Sequence, residues 1–204
     1  ITMQAFIGIT AITTLALAVV TSERRAAELR LADLARTDAL TGLFNYRALT
    51  ESLDAEVARA MRRGQAFALI ALDVDRLKEI NDTLGHLVGN VAIRRVASAM
   101  RLNCRSIDVA ARVGGDEFVV LIAGVSSIEA LARTAKALIE NLSRTYKVED
   151  REIGISCSVG IAVYPDGCRA SKLIARADAA MYAAKHAGGN AVGVEAAWRE
   201  WRMR

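Results

Sequence analysis

Three carboxylates stand where chemistry is possible: Asp73, Asp116 and Glu117. Asp73 closes a short apolar run, QAFALIALDVD (65–75), that reads as a buried strand. Asp116 and Glu117 interrupt RVGGDEFVVL (112–121), directly after Gly114-Gly115. Glycine weakens a strand interior and a buried carboxylate is costly, so both need a use. If the two strands are neighbours, the three acids converge at one edge of a sheet. Converging carboxylates repel unless protonated or neutralised, and a hard divalent cation is the usual remedy. Magnesium takes one or two carboxylates together with water and substrate phosphates, which implies a nucleotide site. Gly114 and Gly115 would then let a bulky ligand approach the turn. The alternative for this stretch by itself is an ordinary hairpin with a solvated acidic turn.

The elements that must position these acids can be read from periodicity. Residues 45–63 have helical spacing and stop at Gly64. After the 65–75 strand, RLKEINDTLGHLVGN reads as a brief helix and a Gly-rich turn, and VAIRRVASAMRL as a second helix. IDVAARV and DEFVVLIAG read as two strands joined through Gly114-Gly115. A helix over 127–144, a strand over 153–163, a helix over 171–187 and a strand near 191–194 complete the pattern. The order β-α-α-β-β-α-β, with a late helix and strand, implies an α/β (α+β) fold with a central sheet and helices packed on both faces.

The chain has 204 residues, 53% apolar and 25% charged, with a net charge of +4. That is enough for one domain with a real core. Residues 1–22 carry no charge, and Glu23-Arg24-Arg25 come directly after them. Length and flank predict a transmembrane helix over 1–21, the C-terminal end of a membrane sensor region whose upstream part is missing. A buried core helix is the competing reading. The basic flank puts the chain from residue 22 onward on the cytoplasmic side of the inner membrane. Residues 22–37 read as a cytoplasmic signalling helix, 38–194 as the main domain and 195–204 as a tail. No stripe of basic residues interleaved with aromatics occurs, so nucleic acid is not the expected partner. Cys104, Cys157 and Cys168 lack metal-site spacing and read as reduced thiols, and His86 and His186 are poorly spaced for a metal pair.

GGDEF at 114–118 resembles the defining motif of the GGDEF family, the diguanylate cyclases. DALTGLFNYR (38–47) resembles that family's D-x-L-T-x-L-x-N-R-R. LDVDRLKEINDTLGHLVGN (72–90) resembles D-x-D-x-F-K-x-x-N-D-x-x-G-H-x-x-G-D. SVGIA (158–162) and ADAAMYAAKHAGGN (177–190) resemble S-x-G-x-A and A-D-x-A-L-Y-x-A-K-x-x-G-R-N. The resemblance implies a fold like nucleotide cyclases and the polymerase palm, a homodimer, and condensation of two GTP into cyclic di-GMP with Mg²⁺ or Mn²⁺. It implies that Asp73, the Val74 carbonyl, Asp116 and Glu117 hold the metal. Asp116, or else Glu117, would help deprotonate the attacking hydroxyl, and Lys78 would stabilise transition-state charge. Lys185 would reach the terminal phosphates, and Leu77, Asn81, His86, Asn90, Gly114 and Gly115 would line the nucleotide. Arg105 and Asp108, an R-x-x-D pair five residues before the glycines, would bind product and inhibit.

Four positions depart from the family pattern. Asn90 replaces the guanine-reading Asp, and an amide offers one acceptor and one donor where guanine presents two donors. Gly189 replaces a phosphate-binding Arg, Leu77 a Phe and Tyr46 an Arg. The resemblance therefore implies an active cyclase with weakened substrate recognition. The competing expectations are a degenerate domain that senses cyclic di-GMP or GTP, and a cyclase of relaxed purine choice.

Overall fold

The computed structural model describes residues 3, 7, 13–25, 36–125, 127–143, 145–148, 151–164 and 170–195. It divides into two units, 1–36 and 37–204. In the first, residues 13–25 are helical and exposed. Among the described residues, no helix is long and apolar enough to cross a membrane. Much of the span expected over 1–21, most of the 22–37 helix and all of the 195–204 tail beyond Glu195 lie outside the described residues.

In the second unit, α1 (Tyr46–Arg63) starts where the Asn45 side chain accepts the Ala48 N–H, and it ends at left-handed Gly64. Next come β1 (Phe67–Val74), α2 (Leu77–Leu84), α3 (His86–Asn103), β2 (Val109–Gly114) and β3 (Glu117–Ile122). The chain continues with α4 (Ile128–Leu142), β4 (Thr145–Val148), β5 (Arg151–Gly154), β6 (Cys157–Tyr164), α5 (Ala170–His186) and β7 (Val192–Val194).

One sheet has the order β2-β3-β1-β6-β7, antiparallel except for the β6–β7 pair. Its centre is β1, whose eight residues are all buried. Alternate side chains of β1 serve two cores. Ala68, Ile70, Leu72 and Val74 pack with Ile93, Val96 and Met100 of α3 and with Leu131 and Leu138 of α4. Phe67, Leu69 and Ala71 pack with Leu49 and Leu53 of α1 and with Leu173 and Ala177 of α5. Helices therefore cover both faces, as the continuous apolar run of β1 requires.

Two expectations are corrected. The second helix of the 76–102 segment begins at His86, not after Asn90, because Gly85 alone breaks the path between α2 and α3. The strand read over 153–163 is two strands, and β5 pairs with β4 in a separate hairpin. TYKV is too short and too polar to announce a strand, and its burial alternates between exposed and half-buried.

Candidate active site

The strand order decides where the acids meet. In the β1–β3 register, Asp73 lies opposite Glu117, and in the β1–β6 register it lies opposite Ser158. The β2–β3 hairpin turns through Gly115 and Asp116, with Gly114 paired to Glu117 and a register shift between Arg112 and Gly114. Gly115 has φ 50°, a conformation open to glycine at little cost. The Asp116 carbonyl accepts the Val74 N–H at 3.1 Å, which ties the turn to the end of β1. Arg112 holds the turn from the other side. Its Nε and Nη2 donate to the Gly115 carbonyl at 3.1 and 2.7 Å, and its Nη1 pairs with Asp38 at 3.2 Å.

Asp73 is 7% exposed, and the Lys185 ammonium donates to its Oδ1 at 2.6 Å. Burial pushes the Asp73 carboxyl above the usual carboxylate range; the Lys185 bond opposes this, and the charges of Asp116 and Asp75 add to it. The bond to Asp73 raises Lys185 further and keeps it an ammonium. Glu117 is also raised, by burial first and then by the charges of Asp178, Asp116 and Asp73. The end of β1 is thus a negative, partly desolvated focus already neutralised in part by one cation.

Among the described residues, no set of three or more His, Cys, Asp or Glu side chains is gathered for a metal ion. The oxygens do suit a hard cation of the magnesium kind, which needs only one or two carboxylates from the protein. The Lys185 ammonium already stands against Asp73 where such positive charge is wanted.

Lys78 is exposed in the first turn of α2, directly after β1, and Leu77 beside it is 9% exposed and packs in the core. Asn81 lies in α2, His86 and Asn90 lie in the first turns of α3, and the Asn81 carbonyl accepts the Gly85 N–H between them. A Cβ at Gly89 would fall 1.9 Å from Asn81 Oδ1, so this glycine makes room for the Asn81 side chain. Arg105 and Asp108 lie apart from the acids. The Asp108 carboxylate accepts the Arg105 and Ala123 N–H groups at 2.8 and 3.3 Å. Both residues border a pocket of about 460 Å³ with Phe44, Arg101 and Cys104.

Sequence reasoning did not single out Asp75, Ser158 or Asn190, which form a connected set here. Ser158 Oγ donates to Asp75 Oδ1 at 2.7 Å, and the Asn190 N–H donates to Oδ2 at 3.0 Å. The signal available was Asp75 itself, a second acid two residues beyond Asp73 at the end of an apolar strand.

A sheet with its acids at the end of the central strand and on the adjoining hairpin is a nucleotide-cyclase-like fold. The family comparison narrows that class: the model described as "Diguanylate cyclase, GGDEF domain" matches residues 35–191, and this chain belongs to that family. It is 41% identical over 161 residues to the bifunctional diguanylate cyclase/cyclic di-GMP phosphodiesterase MucR of Pseudomonas aeruginosa, covering 78% of this chain and 23% of that protein. It is 40% identical over 171 residues to the cyclic di-GMP phosphodiesterase PdeR of Escherichia coli, covering 83% of this chain and 25% of that protein. The chain thus matches about a quarter of the length of these relatives. Among solved structures, the GGDEF domain of DgcB from Caulobacter crescentus, in complex with c-di-GMP, is 34% identical with a TM-score of 0.76. That match covers 78% of this chain and 92% of the other.

Proposed function

We propose that the domain over 38–194 is a diguanylate cyclase that condenses two GTP into cyclic di-GMP with release of pyrophosphate, with weakened substrate recognition. The observation that carries this reading is Asp73, set opposite Glu117 across β1–β3, beside Asp116 and in contact with Lys185. Asp73, the Val74 carbonyl, Asp116 and Glu117 would hold Mg²⁺ or Mn²⁺. The ion supplies charge neutralisation on the phosphates when bound. Lys185 is placed to trade its Asp73 contact for phosphate oxygens as a point charge. Lys78, exposed in the first turn of α2, would stabilise charge that develops on the transferred group. Asp116 would accept the proton of the attacking hydroxyl, with Glu117 as a further contact to the ion. Asn81, His86 and Asn90 would surround the base at the α2–α3 junction. Each active site would need a second copy of the chain to supply the other nucleotide, so the catalytic unit is a homodimer. The 1–21 run would anchor that dimer in the inner membrane, with the domain in the cytoplasm.

Asn90 and Gly189 favour a second reading, in which the domain senses GTP or cyclic di-GMP without turnover. The 40% identity to a protein named as a phosphodiesterase supports keeping it. Incubating the purified chain with equal GTP and ATP and Mg²⁺, and resolving the products by mass spectrometry, separates the readings. Cyclic di-GMP that disappears in Asp73→Asn supports the cyclase. A mixed purine product indicates relaxed choice. Absence of any cyclic dinucleotide at high protein and GTP concentration overturns the enzymatic reading. Titration of cyclic di-GMP into Arg105→Ala tests the product-binding assignment of Arg105 and Asp108, which fails if affinity is unchanged.

A further inference from the structure

Asp75 has no role in the cyclase scheme, yet few polar groups in the domain are so fully engaged. It is 9% exposed, and Ser158 beside it is fully buried. One carboxylate oxygen accepts the Ser158 hydroxyl at 2.7 Å, and the other accepts the Asn190 backbone N–H at 3.0 Å. Its own N–H donates to the Ser156 carbonyl at 2.9 Å. The residues it holds are the turn that ends α5. There the Gly188 and Gly189 N–H groups donate back to the carbonyls of Lys185 and Ala184, at 3.4 and 3.2 Å. Asn190 sits at φ 48°, and its side-chain oxygen accepts the Ser143 hydroxyl at 2.7 Å. Asparagine is among the few non-glycine residues that adopt this region of φ readily, so the turn can form here at small cost.

Two acids two residues apart therefore hold two parts of one helix end. Asp73 takes the Lys185 side chain, and Asp75 takes the backbone just beyond it. We propose that Asp75 is a positioning residue: it clamps the Gly188–Asn190 turn and so sets the Lys185 ammonium over Asp73 for triphosphate binding. This rests on the reading of Lys185 as a nucleotide-binding group. Gly189 lies directly against the clamp. Its φ is 72°, and a Cβ there would lie 3.1 Å from Asp75 Oδ2, against the carboxylate that must reach the next residue.

The test is the affinity of the full chain for a non-hydrolysable GTP analogue with Mg²⁺, together with amide hydrogen exchange at Asn190. Asp75→Ala should weaken the analogue by about tenfold, the scale of a buried polar group left unpaired, and should speed Asn190 exchange by a similar factor. Asp75→Asn should stay within about threefold of the parent. Its amide oxygen can accept from Asn190 while its NH₂ donates to the Ser158 hydroxyl, which both donates and accepts. On a Lys185→Ala background, Asp75→Ala should change affinity by less than about twofold, because a group that acts through Lys185 has nothing left to position. Multiplicative effects of Asp75→Ala and Lys185→Ala, or parental affinity in Asp75→Ala, overturn the proposal. If Asp75→Ala does not fold, Ser158→Ala serves in its place, with a loss of about threefold expected and no loss refuting. A parent that binds the analogue but makes no cyclic di-GMP ends the cyclase reading, and the affinities still decide the clamp. A parent that is active while Asp75→Ala matches it ends the clamp alone. No measurable binding by the parent overturns both.

Discussion

Replacing Arg112 by Ala should cut the one side-chain link between the start of the domain and the acidic hairpin that the structure makes most explicit. Arg112 donates to both Asp38 oxygens, at 3.2 and 3.3 Å, and twice to the Gly115 carbonyl. Its side chain is 15% exposed and that of Asp38 is 24% exposed. Hydrogen bonds to charged groups contribute roughly 1.5–3 kcal/mol each when well shielded. Partial exposure screens the pair, and Asp38 keeps its bonds from the Thr41 N–H and hydroxyl. The net loss comes to about 2 kcal/mol, or about 4–8 °C in melting temperature for a domain of this size. The pH dependence has a definite sign. Burial alone would raise the Asp38 carboxyl, but the Thr41 and Arg112 bonds outweigh it and hold the group below its ordinary 3.8. A depressed carboxyl stabilises the fold above its unfolded value, and that contribution is lost as pH falls through the folded value. The gap between parent and Arg112→Ala should be constant above about pH 5 and narrow as pH drops below 4. Urea unfolding at pH 7 and at pH 3 measures it. A gap under about 0.5 kcal/mol at pH 7, within the range of an ordinary surface substitution, refutes the reasoning. So does a gap that does not change with pH.

Gly160→Ala should be severely destabilising, by about 3 kcal/mol or more, because its Cβ would lie 2.1 Å from the Ala177 carbonyl and 2.2 Å from the Met181 nitrogen of α5. A urea midpoint equal to the parent's would show that α5 can yield there. Asn90→Asp should tighten GTP relative to ATP by roughly tenfold in a competition assay, since a carboxylate satisfies both guanine donors; unchanged preference would remove Asn90 from the base site. The Cys104 thiol is pushed up to about 11 by burial and by the charge of Asp108, against an ordinary 9.0. At pH 8 its alkylation should run roughly 100-fold slower than that of an ordinary thiol, as peptide mapping can follow. Labelling at the ordinary rate would count against the burial described.

Some features were legible without coordinates because their causes are local. Asn45 as cap and Gly64 as stop delimit α1, and the unbroken run FALIALDV marks β1 as a strand covered on both faces. The acids were legible for the same reason: a carboxylate that ends an apolar strand, or interrupts one beside glycines, is conspicuous in one dimension. The TYKV strand was not, since two half-exposed alternating segments carry little periodic signal.

The partnerships of the site belong to the tertiary structure alone. Nothing local says that β1 lies between β3 and β6, and that order brings Asp73 to Glu117 and Ser158. Asp38 meets Arg112 across 74 positions, Asp73 meets Lys185 across 112, and Asp75 meets Asn190 across 115. The amino-acid string by itself settled which groups could hold charge and where α1 begins and ends, because capping, turns and apolar periodicity act over a few residues. Which charge faces which was decided by sheet order and by α5 packing on β6, since hydrogen bonds and Coulomb forces act through space between segments that the chain keeps far apart.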